Sequence, residues 1–145
     1  MIELRPMTRD DLTAVMVLEE ELFAPDTWTR AMYLEELGMP DTRSYTVAVE
    51  DDEVLGYAGL IAYPDEAHVA TIGVTGTRQG QGIGGRLLDA LLAEADTRSP
   101  VVLLEVRATD EATQGLYARR GFVPIGVRPN YYPNSGEDAV VMKRG

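Results

Sequence analysis

Residues 78–88, Arg-Gln-Gly-Gln-Gly-Ile-Gly-Gly-Arg-Leu-Leu, set four glycines (Gly80, Gly82, Gly84 and Gly85) between a strand-like run ending at Val74 and a helix-like run starting at Ile83. A strand, glycines and a helix start make an anion site for a physical reason. The first helical turn leaves backbone N–H groups unpaired at the positive end of the dipole, and glycines let a phosphate approach them without obstruction. Arg78 and Arg86 flank the stretch and would add charge. Gly80, Gly82 and Gly85 also fit G-x-G-x-x-G, but a dinucleotide fold needs that turn in its first βα unit, and about 75 residues of other elements precede it here. The phosphate-loop pattern G-x-x-x-x-G-K-[ST] is absent.

The second candidate is Glu105, inside the apolar run Val-Val-Leu-Leu-Glu-Val-Arg at 101–107. If 101–106 form a central strand, Glu105 shares a face with Val101 and Leu103, where a lone carboxylate is expensive unless it is paired or lines a cavity. Either a structural ion pair with Arg107 or Arg128 or a chemical task would account for it. Tyr117, twelve residues on, falls near the end of the next helical segment, where core packing with the hydroxyl at the surface is the alternative to a role in chemistry. His68 is the only histidine, and the expectation for it is a strand-surface or satisfied half-buried residue.

These groups need elements to hold them. Residues 2–7 form an opening strand, and 8–23 a helix with Thr8 as N-cap and Asp11 three residues on. A second helix starts at Thr27 or Thr29 and stops at Gly38, and residues 44–50 and 54–63 form a hairpin about Asp-Asp-Glu. A strand at 67–74 precedes the glycines, and Ile83, Leu87, Leu88, Leu91, Leu92 and Ala95 form a helical stripe after them. Strand 101–107, a helix at 110–121 and strands at 122–128 and 137–144 complete an α+β arrangement with parallel and antiparallel pairs.

Composition narrows the function classes. The 145 residues suit one domain, 1–145, and no apolar run approaches the roughly 18 residues of a membrane span. A charged amino terminus unlike a secretory signal makes the expected location cytoplasmic. With no cysteine and one histidine, no disulfide framework, thiolate nucleophile or conventional metal centre is expected. The net charge of −11 disfavours nucleic acid as a partner. Its distribution is uneven: residues 1–66 carry 16 Asp and Glu against 4 Arg, and residues 67–145 carry 8 against 9 basic residues. The acidic half would attract a cationic peptide or amine, or serve solubility alone.

Taken together, these features resemble the GNAT superfamily of N-acetyltransferases. Gln79, Gly82 and Gly84 match its Q/R-x-x-G-x-G/A loop, Val-Ala-Thr-Ile-Gly-Val its preceding strand, and Gly-Leu-Tyr-Ala-Arg-Arg-Gly-Phe at 115–122 its later helix and turn. Within it, residues 104–110, 116–122 and 130–142 are similar to the RimI subfamily of ribosomal-protein alanine N-acetyltransferases. The resemblance implies a mixed sheet of about six or seven strands with about four helices. It implies acetyl-CoA as co-substrate and no metal. Main-chain groups of Ile72, Gly73 and Val74 would line the pantetheine, with a backbone N–H such as that of Val74 polarising the thioester. Amides over Gln79, Gly80, Gln81, Gly82, Ile83, Gly84 and Gly85 would hold the pyrophosphate. Glu105 would accept a proton from the acceptor amine, Tyr117 would return one to the leaving thiolate, and Tyr131 and Tyr132 would wall the acceptor groove. The family usually has asparagine where Asp110 stands and arginine where Gly80 stands, and Asp110 is carried as a cofactor contact. The implied acceptor is a protein N-terminal amine, foremost the alanine of a basic small-subunit ribosomal protein. A small amine, a lysine side chain, or a regulatory module that binds acetyl-CoA without turnover are the other readings.

Overall fold

The computed structural model describes residues 1–145. Its sheet has the order β1 (Glu3–Pro6), β2 (Arg43–Glu50), β3 (Glu53–Ala62), β4 (Ala67–Val74), β5 (Val102–Arg107), β7 (Ala139–Arg144), β6 (Val123–Arg128). Every pairing is antiparallel except β4 with β5. Helices α1 (Leu12–Phe23) and α2 (Arg30–Leu37) pack on one face, and α3 (Ile83–Asp96) and α4 (Glu111–Ala118) on the other.

Local chemistry accounts for the boundaries. Thr8 caps a short 3-10 turn that runs into α1, and its amide donates to Asp11 Oδ2 at 2.7 Å. Thr29 caps α2 by accepting from the Met32 amide at 3.1 Å, and Gly38 ends it. The β2–β3 turn uses Asp51 and Asp52 at positive φ, the backbone that a tight hairpin requires. All six residues of the α3 stripe are buried against Leu60, Val102, Leu104 and Val106.

The second core, under α1 and α2, is built from Leu12, Val15, Leu18, Tyr33, Tyr45, Val47 and Tyr57. Tyr45 lies across from Gly59 in the β2–β3 register, and a Cβ on Gly59 would meet its ring, 2.6 Å from Cζ. Gly59→Ala is therefore expected to destabilise the fold by about 1–3 kcal/mol through overpacking, read as a lower urea midpoint with an unchanged slope.

One irregularity shapes the rest. Thr71 pairs with Gly59 and Val69 with Leu60, so Ala70 is an extra, unpaired residue in β4. Such a bulge bends its strand and increases twist. The parallel ladder to β5 covers only Ala67↔Val102 and His68↔Leu103, and the two strands have no pairing beyond these.

Candidate active site

Where β4 leaves β5, a cleft of about 640 Å³ opens between the two half-sheets. The Thr75 amide donates to Leu55 O on β3 at 2.8 Å, so by strand alternation the N–H groups of Ile72 and Val74 point away from β3, into the cleft. Ile72, Gly73 and Val74 line it, together with Val69, Ala70 and Thr71, which sequence reasoning missed because no pattern marks a bulge.

At one end lies the start of α3. Gly82 is its N-cap at φ 83°, with no side-chain cap, so the first-turn amides have no partner from their own chain. Gln79, Gly80, Gly82, Ile83, Gly84 and Gly85 line the cleft. Gln81 is not among the lining residues, and its side-chain oxygen accepts from Arg78 Nε at 2.9 Å. The glycines differ in purpose. Gly80 and Gly82 have positive φ and open space where a Cβ would stand, whereas a Cβ on Gly85 would meet the Arg120 guanidinium, which bonds Asp89 at 2.8 Å. The missing side chain of Gly85 thus makes room for Arg120, while the residue also lines the cleft. Of the flanking arginines, Arg78 lines the cleft while pairing with Glu50 at 2.9 Å, and Arg86 reaches Ile2 O at 3.3 Å. Arg119, at the end of α4, lines the cleft and has no carboxylate partner. Gln79 fixes the loop by donating to Val74 O at 3.0 Å.

On the opposite wall, Asp110 caps α4 by accepting from the Thr113 amide at 3.1 Å, and Gln114 ties that helix to Arg107 O and Ala108 O at the end of β5. This aims Tyr117 inward. Its side chain is 3% exposed beside Phe122, and the hydroxyl has no protein partner yet is not sealed off. Burial, with Asp110 nearby, pushes its phenol above the ordinary value.

Glu105 faces the same cleft from β5. The ion pair with Arg107 or Arg128, one of the two alternatives for this acid, does not form. Its Oε1 lies 2.8 Å from His68 Nε2 and accepts from the Tyr131 hydroxyl at 3.1 Å. His68 is thus the half-buried, satisfied strand residue foreseen, with a partner that spacing did not reveal. That hydrogen bond holds the Glu105 carboxyl below its ordinary range against the opposing push of burial, with Tyr131 and Arg128 acting in the same direction. Arg107 instead lies 4.1 Å from the Tyr132 ring and pairs with Asp26 at 3.0 Å and Glu137 at 2.6 Å. Asp26 Oδ1 also accepts from the amides of Asn134 and Ser135, which laces the α1–α2 connection to the β6–β7 connection across this end of the cleft. Glu19, 1% exposed, holds the neighbouring wall by accepting from Trp28 N at 2.8 Å, Tyr33 Oη at 2.6 Å and Tyr57 Oη at 2.8 Å.

A mixed sheet split beside a bare helix start, with an acid and a phenol converging on the split, defines an acyl-group transferase working from an extended phosphate-bearing donor. A family model described as the acetyltransferase (GNAT) family matches residues 12–122, and the chain belongs to that family. It is an acetyl-CoA-dependent N-acetyltransferase. The chain is 41% identical to the N-alpha-acetyltransferase RimI of Mycobacterium tuberculosis, over 95% of this chain and 89% of that protein. It is 33% identical to a putative ribosomal protein bS18-alanine N-acetyltransferase of Bacillus subtilis, over 95% of this chain and 91% of the other. The crystal structure of the ribosomal-protein-S18-alanine N-acetyltransferase from Escherichia coli superposes with a TM-score of 0.88 at 29% identity, covering 99% of this chain and 93% of that one.

Proposed function

We propose that the chain, working as one domain over 1–145, transfers acetyl to a protein N-terminal α-amine, foremost the N-terminal alanine of a small-subunit ribosomal protein in the cytoplasm. The observation that carries this is Glu105, an ionised carboxylate with one oxygen unclaimed by the protein, facing the cleft in a chain whose relatives are named for ribosomal-protein alanine acetylation. The acidic balance of residues 1–66 supports a basic acceptor. No helix is long and apolar enough to cross a membrane.

The cleft fits acetyl-CoA on its own geometry. Open space at Gly80 and Gly82 leaves the α3 first-turn amides accessible to a pyrophosphate, with Arg119 adding charge. The free N–H groups of Ile72 and Val74 suit the amides of a pantetheine arm and the thioester oxygen. When bound, acetyl-CoA supplies the activated acyl group. An α-amine has a pKa of about 7.7–8.0, so its neutral form is not scarce at neutral pH and a weak base suffices. Glu105 takes the amine proton at Oε2, directly or through water, and Tyr117 gives its hydroxyl proton to the departing sulfur. Asp110 keeps α4 and Tyr117 in place through its cap, and its carboxylate is thereby turned to Thr113.

The test is mass spectrometry of acetyl transfer across peptides that differ in their first residue, alongside lysine-bearing peptides with blocked amino termini and free polyamines. Ala-starting ribosomal peptides are expected to give the highest kcat/KM. Preference for a polyamine or an internal lysine overturns the acceptor assignment, and tight acetyl-CoA binding without turnover on any amine overturns the enzymatic reading.

A further inference from the structure

Both hydrogen bonds to Glu105 fall on one oxygen. Oε1 takes His68 Nε2 at 2.8 Å and the Tyr131 hydroxyl at 3.1 Å, whereas Oε2 has no protein donor. An ionised carboxylate only accepts, so the imidazole carries the proton on Nε2 and donates it. The two donors come from different elements. His68 occupies the last joined rung of β4 and β5, opposite Leu103, and Tyr131 belongs to the β6–β7 connection, with Arg128 set 5.9 Å from its ring. Glu105 lines the cleft and neither donor does, so both approach the carboxylate from outside it. Side-chain exposure agrees, at 38% for His68 against 10% for Glu105.

A glutamate has a soft terminal torsion with broad, roughly two-fold preferences, and without restraint either oxygen turns toward a substrate. Two donors on Oε1 remove that freedom. We infer that His68 and Tyr131 are positioning residues: they hold Oε1 from outside the cleft so that Oε2 is the oxygen presented to the acceptor amine. The inference rests on Glu105 as the base of the proposed reaction. A simple structural pair would satisfy a half-buried acid equally well, but it gives no reason for both donors to choose the same oxygen.

The experiment combines steady-state kinetics on an Ala-starting peptide with NMR of the imidazole, whose signals are unambiguous because the chain has one histidine. His68→Ala is expected to lower kcat by about tenfold or more, a part of the roughly 10²–10⁴ that a positioned base supplies, with the KM for acetyl-CoA unchanged. His68→Gln restores kcat to within a few-fold, since its amide also donates to Oε1. Tyr131→Phe gives a smaller loss, and combining it with His68→Ala gives a larger one. The His68 ring-nitrogen signals of the protein shift in Glu105→Gln. Wild-type kcat in His68→Ala while Glu105→Gln is inactive overturns the inference, as do His68 signals indifferent to Glu105→Gln. Wild-type kcat in Glu105→Gln removes the base assignment and the positioning role with it, and the NMR shift then distinguishes a real contact with a non-catalytic acid from no contact at all.

Discussion

Glu105→Gln is expected to lower kcat by a factor of about 10²–10⁴ while the KM for acetyl-CoA stays within about twofold. The amide keeps the volume and hydrogen-bonding reach of the carboxylate but has no basic oxygen, so loss confined to kcat isolates proton abstraction. Tyr117→Phe is expected to cost less, about tenfold. A thiol has a pKa of about 8.5, so the departing thiolate is tolerably stable at neutral pH and takes a proton from water when the phenol is gone. Because the two groups act on one reaction, the double variant falls short of the product of the single effects. The pH profile carries the sign. Glu105 is held below its ordinary range by His68 and remains ionised across the neutral range, so the fall in kcat/KM below about pH 7.7 follows protonation of the amine and persists in the variants. Quench-flow or coupled assays of thiol release measure each rate, and a Glu105→Gln enzyme within threefold of the unmodified one sinks the assignment.

Glu19→Ala is expected to be the most damaging substitution for stability outside the apolar cores. The carboxylate is buried, and its removal strands the Tyr33 and Tyr57 hydroxyls and the Trp28 amide together. An orphaned buried donor costs about 1–3 kcal/mol, so the two buried hydroxyls together cost about 2–6 kcal/mol, or roughly 10 °C in Tm for a chain of this size. Tyr33→Phe removes one donor and its need at once and is expected to be far milder. Calorimetry on both variants checks the argument, which fails if Glu19→Ala loses less than about 1 kcal/mol.

Much of this architecture was legible in the chain. The α3 stripe, the Asp-Asp-Glu hairpin and the Thr8 and Thr29 starts follow from periods and caps set within a few residues, and local signals of that kind survive folding. The glycine loop pointed to an anion for a sound reason, yet Gly85 proves to make room for Arg120, because nothing in a pattern tells a glycine needed by a ligand from one needed by a neighbour. Glu105 stands out as an acid in an apolar strand, and the ion-pair partners that the sequence offers for it are Arg107 and Arg128. Strand alternation does put Glu105 and Arg107 on one face, and tertiary structure turns the guanidinium to Asp26 and Glu137 instead. His68 lies 37 positions from Glu105, and only the short parallel ladder brings them together. The clasp about Glu19 was likewise invisible, since it joins α1, α2 and β3 through polar tips of residues whose spacing looks like ordinary core.

The two-rung ladder between β4 and β5 has a mechanical consequence. Four strands lie on one side of that seam and three on the other, and below His68 the main chain supplies no cross-tie. An acyl donor lying along β4 and reaching α4 would act as the missing mortar, so the resistance of the fold to unfolding would rise with donor concentration by mass action. Release of the spent carrier would then loosen the masonry at the same place that the next carrier enters.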